Sequence, residues 1–163
     1  MRTLPLLLAL PLLAACGSSV PAGLADIEGT AEDAYDKALV SDYAAVSADA
    51  DTLTSAWKGY RDQAEADGAS AADLGAMDDA IDGLSAAVDS QADLTDVELA
   101  RAANAVSAPM DELYSLYDDP VPASILALDY GGREVSIDAM EEGMGDALED
   151  IGCLLYTSPS PRD

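Results

Sequence analysis

Carboxylates dominate the chemistry this chain could do: Asp and Glu together number 32, Lys and Arg 7, and histidine is absent. Without histidine, the usual general base beside a Ser or Cys nucleophile is missing. Lys37 and Lys58 lie on helical patterns with no strained turn to present a serine to them. Haem attachment is disfavoured for the same reason, since there is no axial His and no Cys-x-x-Cys-His. A catalytic carboxylate pair needs two environments that push the pKa values apart. Asp49 with Asp51, and Asp78 with Asp79, instead fall mostly on the wet sides of their helices. No Asp-rich stretch carries the central Gly and terminal Glu of a calcium loop of the EF-hand kind. Weak divalent-cation binding is therefore the extent of the expected carboxylate chemistry, and no cofactor is expected. Met140 and Met144, one helical turn apart, are the weak metal candidates, because two thioethers suit a soft ion such as Cu(I). Both also fall on an apolar stripe, where Met is an ordinary gap filler, and packing is the stronger reading. Asp129, Tyr130 and Arg133 are the candidate binding residues, combining an aromatic, a scarce cation and two glycines that favour a turn. The competing reading is that Arg133 pairs with neighbouring carboxylates.

The elements that must position these residues follow from spacing. Thr30–Asp33 can start a short helix with Ala34, Tyr35, Ala38 and Leu39 on one side. Tyr43, Val46, Ala50, Leu53, Trp57, Tyr60 and Ala64 then step by three and four, ended by Asp67-Gly68. That makes Trp57, Tyr43 and Tyr60 core rather than a ligand box. Ser70 with Asp73, and Thr95 with Glu98, mark two capping boxes. Leu74, Met77, Ile81, Leu84 and Val88 form one stripe, and Leu99, Ala102, Val106, Leu113 and Leu116 or Tyr117 the next. Pro109 should kink the helix of that last stripe. Ile137, Met140, Met144, Ala147 or Leu148, and Ile151 continue the pattern. Residues 120–136 are ambiguous: Tyr130-Gly131-Gly132-Arg133 suits a two-residue turn, giving a short hairpin over 126–137, and an irregular loop fits equally well. The fold class is thus mainly all-α, an antiparallel up-and-down bundle of about four helices. Many alanines flank the seams, so close helix approach and modest stability are expected.

The first sixteen residues have a different character. Arg2 precedes an apolar run, Leu4–Leu13, interrupted by Pro5 and Pro11, and then come Ala14-Ala15-Cys16. The run is too short to span a hydrocarbon layer of about 30 Å. Leu13-Ala14-Ala15-Cys16, with polar Gly17-Ser18-Ser19 after it, resembles the lipobox of bacterial lipoprotein precursors. The resemblance covers those sixteen residues only. It implies cleavage before Cys16, lipidation of the Cys16 thiol, and a cell-envelope location. Gly17 is not the Asp associated with inner-membrane retention, so in a Gram-negative cell the resemblance implies the outer membrane, facing the periplasm. Two or three acyl chains form a durable anchor where one is marginal.

At the other end, residues 153–163 read CLLYTSPSPRD, which resembles a translated transposase-end adapter of sequencing libraries. We expect this tail to be non-native and the natural chain to run on past Gly152. The expected organisation is a signal peptide (1–15), a lipidated flexible tether (16–29), an acidic bundle (30–152) and the adapter-derived tail (153–163). The net charge of −25 disfavours nucleic acid and anionic surfaces. The expectation for function is a non-enzymatic envelope lipoprotein, an interaction or accessory module. Its partners would be the membrane, through Cys16, and another envelope protein. A cation-binding or sensing bundle is the alternative.

Overall fold

A computed structural model describes residues 19–141. They form helices α1 (Ala22–Leu39), α2 (Tyr43–Asp67), α3 (Ala71–Asp89), α4 (Asp96–Asn104), α5 (Met110–Tyr114) and α6 (Ser124–Glu141), with no strand among the described residues. The fold is all-α, as the spacing predicts. None of these helices is long and apolar enough to cross a membrane.

α1 lies at the centre, packed on α2 and α4, while α3 joins α2 to α4 and α6 closes over α4 and α5. It begins at Ala22, inside the stretch expected to be a tether, which corrects that boundary. Pro21, lacking a donor, sits at the N-cap, and its carbonyl accepts from Leu24 and Ala25. Leu24, Ile27, Ala31, Ala34 and Ala38 are fully buried, so helical burial extends well N-terminal of Thr30. Pro21, Gly23 and Gly29 mask this part of the helix, where only Leu24 and Ile27 mark the stripe.

The links are short and specified locally. Ser41 turns at φ 60, and the Asp42 side chain then accepts from Ala45 N to start α2. Gly68 ends α2 at φ 112, a conformation in which a Cβ is strained. Both capping boxes form as read, Ser70 with Asp73 and Thr95 with Glu98. The α2 stripe buries Val46, Ala50, Leu53, Trp57, Tyr60 and Ala64. Tyr43, at its head, is 38% exposed instead, and its hydroxyl donates to Asp96.

Two expectations change in the C-terminal half. Pro109 does more than kink its helix: α4 ends at Asn104, a 3-10 turn spans Ala105–Ser107, and α5 restarts at Met110. The hairpin expected over 126–137 is not formed, and neither is an irregular loop; these residues lie within α6. Leu126, Tyr130, Arg133, Ile137 and their neighbours Ala127, Gly131, Glu134 and Asp138, with Val135, are its less exposed positions, a period near 3.6 rather than 2. Arg133 occupies what an apolar pattern would have filled with a Leu, so the true period was broken at its middle.

Candidate functional site

α6 lays Arg133 across the junction of α1 and α4. One Nη of its guanidinium is 2.8 Å from Glu32 Oε1 and 3.0 Å from Asp129 Oδ2, and the other is 3.7 Å from Glu28 Oε1. Its Nε donates to Asn104 Oδ1 at 2.6 Å, and its central carbon lies 5.9 Å from the Tyr35 ring centroid. The bundle thus places a charge-assisted hydrogen-bond cluster beside an aromatic face.

Glu28 is the unusual member. It is 6% exposed, and neither carboxylate oxygen has a hydrogen-bond partner. Burial, reinforced by the neighbouring Glu32 and Asp129 charges and opposed by Arg133 and Ser107, pushes its pKa up to about 7. Its position follows from helix geometry: Leu24, Glu28, Ala31 and Tyr35 recur at helical spacing on the buried side of α1.

Asn104 joins this cluster to a second one. Its side-chain amide donates to Tyr130 O at 3.2 Å and to Glu134 Oε1 at 2.6 Å, while its oxygen receives Arg133. Glu134 also accepts from Arg101, which reaches Asp138 at 2.6 Å and Glu141 at 2.9 Å as well. Burial pulls the Arg101 pKa down, but hydrogen bonds to Asp138 and Glu141 and the Glu134 charge more than offset it and hold it raised. The path Glu32–Arg133–Asn104–Glu134–Arg101 therefore ties α1, α4 and α6 together through polar contacts.

Of the candidates read from sequence, Asp129 and Arg133 do come together, and Tyr130 contributes its backbone carbonyl to Asn104. Arg133 pairs with neighbouring carboxylates, as the competing reading held, although two of them come from α1 rather than from a turn. Sequence reasoning missed Glu28, Glu32 and Asn104. Met140 is 49% exposed, which corrects its placement as a core gap filler; Met144 and Cys16 lie outside the described residues.

A cleft of about 350 Å³ opens between α2 and α3, lined by Trp57, Lys58, Arg61 and Asp78 among others. Arg61 Nε lies 3.1 Å from both oxygens of Asp78, and Trp57 Nε1 donates to the same group at 2.6 Å. Hydrogen bonding from Arg61 holds the Asp78 carboxyl below its usual range. The indole itself is buried, as its heptad spacing predicts. On the far side of the stripe the Tyr60 hydroxyl meets that of Tyr117 at 2.5 Å, and Tyr117 donates to Asp67 at 2.7 Å.

Comparison with protein-family models, with curated proteins and with solved structures finds no match for this chain.

Proposed function

We propose that this protein is a lipid-anchored envelope lipoprotein whose acidic helical bundle acts as a non-enzymatic interaction or accessory module. The observation that carries the reading is the sequence Leu13-Ala14-Ala15-Cys16 behind a short apolar run. Lipid on Cys16 buries methylenes in the bilayer at about 0.8 kcal/mol each, enough with two or three chains to hold a strongly acidic domain against a membrane. With helix α1 starting at Ala22, the module would sit close to that surface. Arg133 and Arg101 are engaged with Glu32, Asn104, Glu134 and Asp138, contacts that hold helices together as a scaffold requires.

The test is metabolic labelling with an alkyne fatty acid, followed by fractionation and mass spectrometry of the N-terminal peptide. The expected result is label and membrane recovery, both lost on Cys16→Ala. An unmodified thiol at Cys16 and full recovery in the soluble fraction would overturn the reading. Crosslinking in intact envelopes should then return a protein partner, and an empty capture would count against the accessory role.

One observation favours the second reading, a cation-binding bundle. Glu28, Glu32 and Asp129 each bring a carboxylate oxygen within 4.8 Å of the other two.

A further inference from the structure

Those three carboxylates face one guanidinium, so with all three ionised two negative charges have no counterpart in the cluster. For Glu28 the imbalance is acute. It is buried, both of its oxygens lack hydrogen-bond donors, and its nearest cationic atom, Arg133 Nη2, is 3.7 Å away. Ser107, 2% exposed, also has an Oγ that meets no partner at hydrogen-bond geometry. Buried polar groups are normally satisfied, so unmatched ones gathered around a point need an explanation, of which a bound ion is one. Here three unmatched oxygens, Glu28 Oε1 and Oε2 and Ser107 Oγ, stand beside one unmatched donor, Arg133 Nη2, so acceptors outnumber donors.

We propose that Glu28, Glu32 and Asp129 bind a hard divalent cation of the calcium class, with the Arg133 guanidinium as a built-in competitor for the same oxygens. The inference rests on the second reading above and is independent of the lipid anchor. Three features select the class. An all-carboxylate donor set suits hard ions rather than Cu or Zn. Ca²⁺ binds oxygens at about 2.3–2.6 Å, so its ligands stand no more than about 5 Å from one another, and the three carboxylate oxygens here all lie within 4.8 Å of each other. Two positive charges, added to that of Arg133, balance three carboxylates.

Access and accommodation are also provided. Glu32 and Asp129 are partly exposed, at 42% and 53% of their side chains, giving an ion a route from solvent to the buried Glu28. Arg133 is held through Nε by Asn104 and lies near the Tyr35 ring, so its Nη atoms can swing away from Glu32 and Asp129 without losing every contact. Mg²⁺, which demands near-ideal octahedral geometry, suits so irregular a set less well.

The experiment uses the full chain in detergent, stripped with a chelator, and titrated with Ca²⁺ by calorimetry and with Mn²⁺ by electron paramagnetic resonance. Saturable one-site binding is expected. Glu28→Gln and Asp129→Asn should each weaken it by at least about tenfold, as loss of a charged ligand does. Asp51→Asn, an equal loss of charge on α2, should leave affinity unchanged. Arg133→Gln should tighten binding, and its melting temperature should rise more on adding Ca²⁺ than that of the wild type. Asp129 is exposed, so Asp129→Asn keeps the test alive if Glu28→Gln fails to fold. Wild-type-like binding by Asp129→Asn would mean only diffuse attraction to an acidic surface, and overturns the site. So does an absence of saturable wild-type binding at millimolar ion. Unchanged affinity in Arg133→Gln would overturn the competition. None of these outcomes bears on the state of Cys16.

Discussion

Arg101 and Arg133 each face three carboxylates, yet the two clusters solve the same problem differently. Every carboxylate around Arg101 receives one of its N–H groups, and the cluster lies at the margin of α4 and α6, with the arginine about a third exposed. Of the three carboxylates around Arg133, only Glu32 and Asp129 are hydrogen-bonded to the guanidinium. Glu28 sits deeper than either and goes without. Charge count is therefore not what distinguishes a settled cluster from a loaded one. Burial, and whether each oxygen meets a donor, decide it.

The sharpest way to break this comparison is to remove the two arginines separately, with a chelator present. Arg133→Met takes the cation from buried Glu28 and the donor from Asn104 Oδ1, and should destabilise the fold by about 3–5 kcal/mol. Arg101→Met frees partners that water can reach, and should cost about 1 kcal/mol, less at high salt. Urea unfolding of both variants measures the gap; equal losses would show that burial is not the discriminator.

Proton linkage at Glu28 gives the next largest effect. Its folded pKa, about 7, lies above the unfolded value near 4.5, so between these limits the folded state holds the extra proton. Stability therefore falls as pH rises through that window, by about 3 kcal/mol from this group. Glu28→Gln should flatten the slope relative to wild type. Melting temperatures from pH 4 to 8 in chelator check it, and parallel curves would refute it.

Asn104 belongs to both clusters, which makes it the probe of their coupling. Asn104→Ala removes two donated bonds and one accepted, and should cost about 2 kcal/mol. A double-mutant cycle with Arg101→Met should be non-additive; strict additivity would mean the clusters are independent. The smallest effect leaves both clusters intact. At Gly132, on α6, an added Cβ would meet nothing within 4 Å, so Gly132→Ala should stabilise by roughly 0.5–1 kcal/mol in urea.

The parts of the fold legible from sequence were those where large apolar residues mark the period and a polar residue marks the start. Val46 through Ala64, Leu74 through Leu84, and both capping boxes are of this kind. The first two turns of α1 are hard to read because Pro21, Gly23 and Gly29 surround only two large apolar residues, Leu24 and Ile27. α6 was misread because the residue at the middle of its buried face is an arginine and two glycines precede it. Half of the candidate site was visible, in Asp129 and Arg133, since a rare cation in an acidic chain stands out. Glu28 was one acid among many, although its place between Leu24 and Ala31 was a signal available in the spacing. Asn104 carried no signal, because its role depends on a helix that the sequence pattern did not reveal.

Ala31, Ala34, Ala38, Ala50, Ala64, Ala100 and Ala103 fill the seams between α1, α2 and α4. Methyl-sized contacts withdraw less hydrocarbon from water per residue than leucine seams would, and hydration of hydrocarbon is the source of the heat-capacity increment of unfolding. A bundle zipped by alanine should accordingly have a shallow dependence of folding free energy on temperature, giving up height at its maximum and losing little on cooling.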